Sequence, residues 1–466
     1  MTHHFETELE TLTMAGAVTP TTARIWARSD RPGAHTIELE PGGIRREVTI
    51  EDGPGDRTGA WTIEGLAPGT RYRFRVTRGE RAIGEGAFQT APAPGKATSF
   101  SFAAMSCNQP FADDGRVGEV PRSMLVAARQ MILDRDAAFV LAMGDQMYAD
   151  APEGTSLFEH PDVLRWSREE VRARYQQRYR RFWAVPELQA LYGTTSSWPM
   201  LDDHEVVDDF GSVPVHASAA WRNLREGALD AYYDYQASRV LDERRAAFDH
   251  GFRWDGVAVY QLDIRSERTS DGERTRVFSP SQLARFTRFL GAQHGARVLV
   301  VMVSVPLAFV PTWAATLAAS VPGHGADGMD RWSHARCEPE RDLLLKMLHD
   351  HAVTHPWQRI VLVTGDVHVG AAHSIQWPDG VTIHQLTTSA VTNHTRGLGR
   401  KFFEALPRLQ RRIHIGEVVA DVEMQFPPYG QLNLGFVHIE DDGKRARVQL
   451  ELAGVQGTIY RSPWLG

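Results

Sequence analysis

Five apolar runs between residues 100 and 368 each end in a short burst of residues that ligate metals or move protons. SFSFAAM leads into Ser106, Cys107, Asn108 and Gln109, and AAFVLAM into Gly144, Asp145, Gln146, Met147 and Tyr148. SWPML leads into Asp202, Asp203, His204 and Glu205, VAVYQL into Asp263, Ile264 and Arg265, and RIVLVT into Gly365, Asp366, Val367 and His368. Runs apolar at nearly every position read as strands buried on both faces. In an open α/β sheet the functional crevice lies beyond the carboxyl ends of the strands, so bursts this far apart in sequence converge on one site.

The rest of the chain supports that layout. Strands are expected at 100–105, 137–143, 197–201, 257–263, 297–303, 359–365 and 381–387, alternating with helices at 121–135, 168–191, 279–290 and 338–351, the pattern of an α/β layered domain. Residues 16–90 read differently: short alternating runs (ARIWARS, HTIELE, RYRFRVT) between Gly, Pro and Asp turns predict an antiparallel β-sandwich. APAPGKA, residues 91–97, is the expected linker, giving domains at 1–92 and 98–466. A chain of 466 residues is long enough for both.

The net charge of -7 argues against stable nucleic-acid binding, which needs a basic surface to meet phosphates. The arginine-rich stretch REEVRARYQQRYRRFW, 168–183, reads as an amphipathic helix with Tyr175, Tyr179, Phe182 and Trp183 inward and the arginines solvated. No apolar segment is long enough to span a bilayer, and the acidic start MTHHFETELE lacks the marks of a secretory signal. The expectation is cytoplasmic for the chain as given, and periplasmic or secreted if a leader has been removed. Cys107 and Cys337 make no disulfide framework, and Cys337, at a helix start, is expected to be structural. His3 and His4 are expected in a tail, while His324 and His334 sit in a Gly-rich stretch that could border a pocket. Oligomeric state is not encoded in any motif.

Taken singly, each ligand-type residue has a plain structural reading: Cys107 as a small buried thiol, Tyr148 as a core aromatic, Asp145 as a turn residue, Asp-Asp-His-Glu as a helix cap. Their repetition at five strand ends is what those readings leave unexplained, because it would crowd several carboxylates together without a counter-charge. Cys107, Asp145, Tyr148, Asp203, Asp366 and His368 mix carboxylate and phenolate, which suit hard or trivalent ions, with thiolate and imidazole, which suit iron or zinc. Two inequivalent metal positions bridged by Asp145 fit this set, and a metal pair of that kind suits phosphoester hydrolysis.

Gly-Asp-x-x-Tyr, then Asp-Asp-His-Glu, then Gly-Asp-Val-His, each after an apolar run, resemble the calcineurin-like metallophosphoesterases and within them most closely the PhoD (alkaline phosphatase D-like) branch. SCNQ at 106–109, LDIRSER at 262–268, SVP at 304–306 and QLNLGF at 431–436 extend the resemblance, and TIEGLAPGTRYRFRVT resembles a fibronectin type III domain with Tyr72 at its tyrosine corner. The resemblance implies a four-layered α/β/β/α catalytic domain. It implies iron(III) held by Cys107, Asp145, Tyr148 and His368, and a second, calcium-like ion held by Asp145, Asp203 and Asp366, with magnesium, manganese or zinc as alternatives there. Asp203 stands where the commoner members carry Asn, Asp366 where they carry His, and Ser304 where a His precedes the Pro; each change hardens the second site. The implied reaction is hydrolysis of a small phosphomonoester or phosphodiester. A metal-bound hydroxide would act as nucleophile, His204 would protonate the leaving oxygen and Arg265 would clamp the phosphoryl oxygens. Asp150 is left as a supporting loop residue. The alternatives are a binding or scaffold protein with an idle site, and a zinc or manganese phosphodiesterase using the same pocket.

Overall fold

The computed structural model describes residues 7–320, 325–393, 401 and 404–466; His3, His4 and His324 lie outside them. Alternation sets the N-terminal part. On strand Arg71–Arg78 the residues Tyr72, Phe74 and Val76 are buried while Arg71, Arg73 and Arg75 are exposed, so the strand has one inner face. It belongs to a four-stranded antiparallel sheet with Ile44–Ile50, Gly33–Glu40 and Arg81–Gln89, next to a three-stranded sheet of Leu12–Gly16, Ala23–Arg28 and Thr58–Ile63. The Tyr72 hydroxyl accepts the Ala67 N–H at 2.9 Å, the bond a tyrosine corner makes.

These sheets are fastened to the larger C-terminal part of the chain. Asp56 receives Arg28, Arg180 and the Tyr235 hydroxyl, and the Trp26 indole donates to the Asp234 carbonyl at 2.8 Å. The linker is held as well, since Asp255 accepts the Gly95 and Thr98 N–H groups at 2.8 and 3.2 Å.

Apart from a short two-stranded pair, Thr269–Ser270 with Thr275–Arg276, the remaining strands form two sheets. One has six strands in the order Ser196–Pro199, Phe139–Ala142, Phe100–Met105, Leu434–Asp441, Ala446–Gly454, Gly457–Arg461. The other has eight: His250–Trp254, Val257–Gln261, Val298–Met302, Arg359–Thr364, Thr382–Thr387, Gly370–Gln376, Val418–Tyr429, Arg412–Ile415. The strands that carry the ligand-type bursts run parallel within each sheet: the three of the first are direct neighbours, and the two of the second flank Val298–Met302. Odd and even residues on them part company. Phe102, Ala104, Val298, Val300, Val361 and Val363 fill the space between the sheets. Ala103 and Met105 face the helix Glu119–Asp134 and its neighbours, while Leu299, Val301, Ile360 and Leu362 face helices Pro280–Gly291 and Glu338–Thr354. Helix, sheet, sheet and helix are thereby stacked in four layers, as the resemblance implies.

Two expectations change. The helix expected at 168–191 is two, Arg168–Phe182 and Pro186–Tyr192, because Pro186 has no N–H to continue a helix and starts the second one instead. Tyr175, Tyr179, Phe182 and Trp183 do point inward, but the arginines are not all solvated: Arg178 is fully buried and donates to the Tyr148 carbonyl at 2.6 Å. Among the described residues no helix is long and apolar enough to cross a membrane.

Candidate metal centre

The loops that end the parallel strands approach one another closely enough to require glycine. A side chain at Gly144, where φ is 89°, would bring its Cβ to 2.4 Å from the Asp202 Cβ, and one at Gly365 would lie 2.6 Å from the Ser106 Cβ. In the same loops the backbone is left-handed at four residues other than glycine: Cys107 at φ 56°, Asp145 at 54°, Asp366 at 66° and His368 at 53°. Each such residue costs about 1–3 kcal/mol and is found where the surroundings overrule the local preference.

Glu205, fully buried, ties two of these loops together. Its Oε2 accepts the N–H groups of Asp145 and Asp202, each at 3.0 Å, and its Oε1 accepts the Gln146 N–H at 2.7 Å and the Gln236 side chain at 3.0 Å. It is a brace that touches no cavity-facing group.

On one side of the site the Asp145 Oδ2 lies 3.3 Å from both the Cys107 Sγ and the Tyr148 hydroxyl. Ligand bonds of about 2.0–2.3 Å at right angles put neighbouring donors about 3 Å apart, so each of these two pairs is spaced as donors that share an ion. Burial, and then the Asp366 charge, push the Cys107 thiol up to about 12. Burial and the Asp145 charge likewise push the Tyr148 phenol well above its ordinary range. On the other side, Asp145, Asp202, Asp203 and Asp366 bring one ligand oxygen each to within 4.8 Å of one another. Burial and mutual repulsion raise the carboxyls of Asp145 and Asp202, and burial lifts that of Asp366 to about 6 against the pull of Arg331.

Two guanidinium groups flank the carboxylates. Arg265 is fully buried, its Nε 2.6 Å from the Asp202 Oδ1 and its two Nη atoms 2.7 and 3.0 Å from the Asp330 carboxylate. It therefore stands behind the cluster, paired with Asp202 and Asp330 and away from the cavity wall, where the phosphoryl clamp expected of it would have to stand. Among the described residues the arginine on that wall is Arg331, which pairs with Asp366.

His204 faces a cavity of about 370 Å³ shared with Tyr148, Asp366, His368, Arg331 and Asn393. Its Nδ1 lies 2.8 Å from the Asp150 Oδ1, its Nε2 lies 3.6 Å from Asp208, and its ring stacks on that of Tyr148 with centroids 4.0 Å apart. Burial disfavours the cation, but Asp150, Asp203 and Asp145 outweigh it and hold the imidazole well above its ordinary range. The His368 ring stands outside the group of four carboxylates, and its backbone N–H donates to the Ser389 Oγ at 3.0 Å.

The residues present fit metal ions. Among the described residues the buried Asp145 Oδ1 and Asp202 Oδ2 accept no hydrogen bond, a costly state that a cation would relieve. The family model for PhoD-like phosphatases matches residues 102–418, well over half of the chain. The chain belongs to the PhoD-like phosphatase family. As a PhoD-like phosphatase it is a hydrolase, and the acidic groups at its strand ends are suited to metal cofactors. No curated protein matches it. Among solved structures, that of PhoD superposes with a TM-score of 0.66 at 13% identity, covering 96% of this chain and 91% of that one. Purple acid phosphatase PPD1 from yellow lupin (Lupinus luteus) seeds gives a TM-score of 0.57 at 12% identity, covering 98% of this chain and 74% of that one. At these identities the likeness is one of fold.

Several residues of this PhoD-like phosphatase site escape a reading of the sequence alone. Asp202 yields there to its neighbour Asp203, although both sit in the same burst and Ser304 of SVP donates to Asp202 at 2.9 Å. Arg331 and Asp330 lie in GMDRWSHARC, which has no strand before it and no pattern to mark it. Asp150, expected only as a supporting loop residue, is the partner of His204, a pairing that the sequence leaves unnamed. His334, the histidine expected to border a pocket, is buried, and its Nδ1 accepts the Arg336 N–H at 3.3 Å.

Proposed function

We propose that this PhoD-like phosphatase hydrolyses small phosphomonoesters or phosphodiesters at a two-metal site. Iron(III) would be held by Cys107, Asp145, Tyr148 and His368, and a calcium-type ion by Asp145, Asp203 and Asp366 with Asp202 added. The observation that carries this reading is the meeting of four carboxylates within 4.8 Å, two of their buried oxygens having no hydrogen-bond partner among the described residues. When bound, the ions supply positive charge to phosphoryl oxygens and acidify water. The chain's own groups do the rest. Asp150 fixes the Nδ1 edge of His204, which leaves Nε2 as the atom that passes a proton to the departing oxygen. Arg331, on the cavity wall, orients the phosphoryl oxygens. Arg265 positions Asp202 from behind.

The test is elemental analysis of the full chain, purified without chelators, together with turnover of p-nitrophenyl phosphate and bis(p-nitrophenyl) phosphate. Iron and calcium are expected, with both esters as candidate substrates. His204→Ala is expected to lower kcat by about 10²–10⁴ while metal content stays intact. Loss of metal from that variant would make His204 a ligand, zinc in both positions would overturn the ion assignment, and a fully loaded chain without turnover would leave a binding role.

A further inference from the structure

The cavity is lined by two kinds of group. Besides the charged His204, Asp208, Asp327, Arg331 and Asp366, its wall includes Phe309, Val310, Ala315, Val367, Val369 and Leu406. Five of these form a small apolar cluster of their own, apart from the three that fill the layers of the fold. Val367 lies between Asp366 and His368 in sequence, so the apolar wall begins at the proposed ligands themselves. A phosphoryl group has no use for such a surface, because its oxygens are bound by charge and hydrogen bonds. The volume of about 370 Å³ lies in the range, about 300–1,000 Å³, of sites that enclose a whole small molecule.

The helix Thr312–Ala319, which supplies part of this wall, is built to leave room. Ala314, Ala315 and Ala318 line the cavity, and the helix packs against helix Gly325–Asp330, next to which Arg331 sits. On its adjoining face Trp313 and Leu317, one turn apart, are 60% and 63% exposed, the largest values among the exposed large hydrophobic residues. Large apolar groups exposed beside a cavity mark a surface that something apolar covers. The occupant is defined by the continuity of this surface with the charged site: it must carry a phosphoester at one end.

Resting on the proposed function, we propose that the preferred substrates are phosphoesters with an apolar arm, an alkyl or aryl group of several carbons. The arm lies along Phe309, Val310, Val367 and Val369, and longer arms pass Ala314 and Ala318 toward Trp313 and Leu317. The test uses the metal-loaded full chain and p-nitrophenyl alkyl phosphodiesters from methyl to octyl, each below its aggregation concentration. Over the first few carbons kcat/KM is expected to rise about three- to fourfold per methylene, the ratio that burying one CH₂ implies. Ala318→Asp, which charges the wall without emptying the core, and Phe309→Ala, which shortens it, are each expected to lower the octyl-to-methyl ratio at least tenfold. A flat series, or a ratio unchanged in both variants, overturns the proposal. If none of the esters is turned over, it is the proposed function that fails. Calorimetry with methyl- and octylphosphonate then reads the wall by itself: tighter octyl binding upholds it and equal affinities overturn it.

Discussion

Cys107, Asp145 and Tyr148 bring a thiol, a carboxyl and a phenol together, and the one arginine that reaches them among the described residues, Arg178, binds the Tyr148 backbone carbonyl and none of the three side-chain groups. Asp202 and Asp366, a few ångströms away, each have a guanidinium of their own, Arg265 and Arg331. Guanidinium charge is permanent, so part of the negative charge on the carboxylate side is balanced before any ion arrives. Among the described residues the thiol–phenol side has no guanidinium; its cationic neighbour is the His204 ring stacked on Tyr148. This difference is in keeping with the proposed pairing of iron(III) on the thiol–phenol side with a divalent ion on the other.

Asp145 belongs to both sides, and removing it should do the most damage. Asp145→Asn is expected to lose both ions and to lower kcat/KM at least about a thousandfold. Tyr148→Phe is expected to lose only the visible charge-transfer band of tyrosinate on iron(III) and to keep calcium. Elemental analysis and absorption spectra of the two variants check this, and a Tyr148→Phe chain that still absorbs, or that loses both ions, breaks the distinction between the sides.

The next largest effect concerns the arginine behind the carboxylates. Arg265→Met strips the counter-charge from Asp202 and Asp330 in the interior, and breaking such a buried pair costs about 3–5 kcal/mol. Denaturant unfolding should show this loss, and Arg331→Met, at the edge of the cavity, should show a smaller one. Equal losses would mean that Arg265 is no more structural than Arg331.

The smallest effect lies outside the cluster and serves as its control. Burial lowers both His373 and His384 to about 4, so each is neutral in the fold where an unfolded histidine is protonated. The unfolded chain then binds more protons between pH 6.5 and pH 4, so this stability is complete above about pH 6.5 and is lost as pH falls toward 4. The raised carboxyls of the metal-free cluster act with the opposite sign in this window, so the rings themselves are the check: NMR shifts of the His373 and His384 imidazoles in the folded chain should still be those of neutral rings at pH 5. Shifts of protonated rings at pH 5 would show these histidines to be charged in the fold.

What could be read in the sequence followed distance along the chain. Cys107, Asp145, Tyr148, Asp203, Asp366 and His368 each follow a strand within a few residues, so one apolar run announces both the strand and the group at its end. Arg331 reaches Asp366 from 35 residues away, and Arg265 reaches Asp330 from 65, across whole helices and strands that leave no local spacing to read. Arg265 looks like a cavity residue for the same reason that the ligands do, since it too follows a strand; only the position of Asp330 reveals that it faces inward. The C-terminal strands escape notice because Val418–Tyr429 carries two prolines and Ala446–Gly454 begins with alternating small and charged residues, neither of which resembles the apolar runs of the central strands.

Glu205 takes no part in any step of the proposed reaction, yet two of the ligand loops hang from its carboxylate. Asp145 and Asp202 share the same Oε2, so neither can swing outward without tearing away a hydrogen bond in the interior. The gap between them is thus preset, like the jaws of a caliper locked at one reading. Ionic radius becomes a criterion of entry: an ion that does not suit the opening must work against the frame of the protein, since the loops cannot simply spread to receive it.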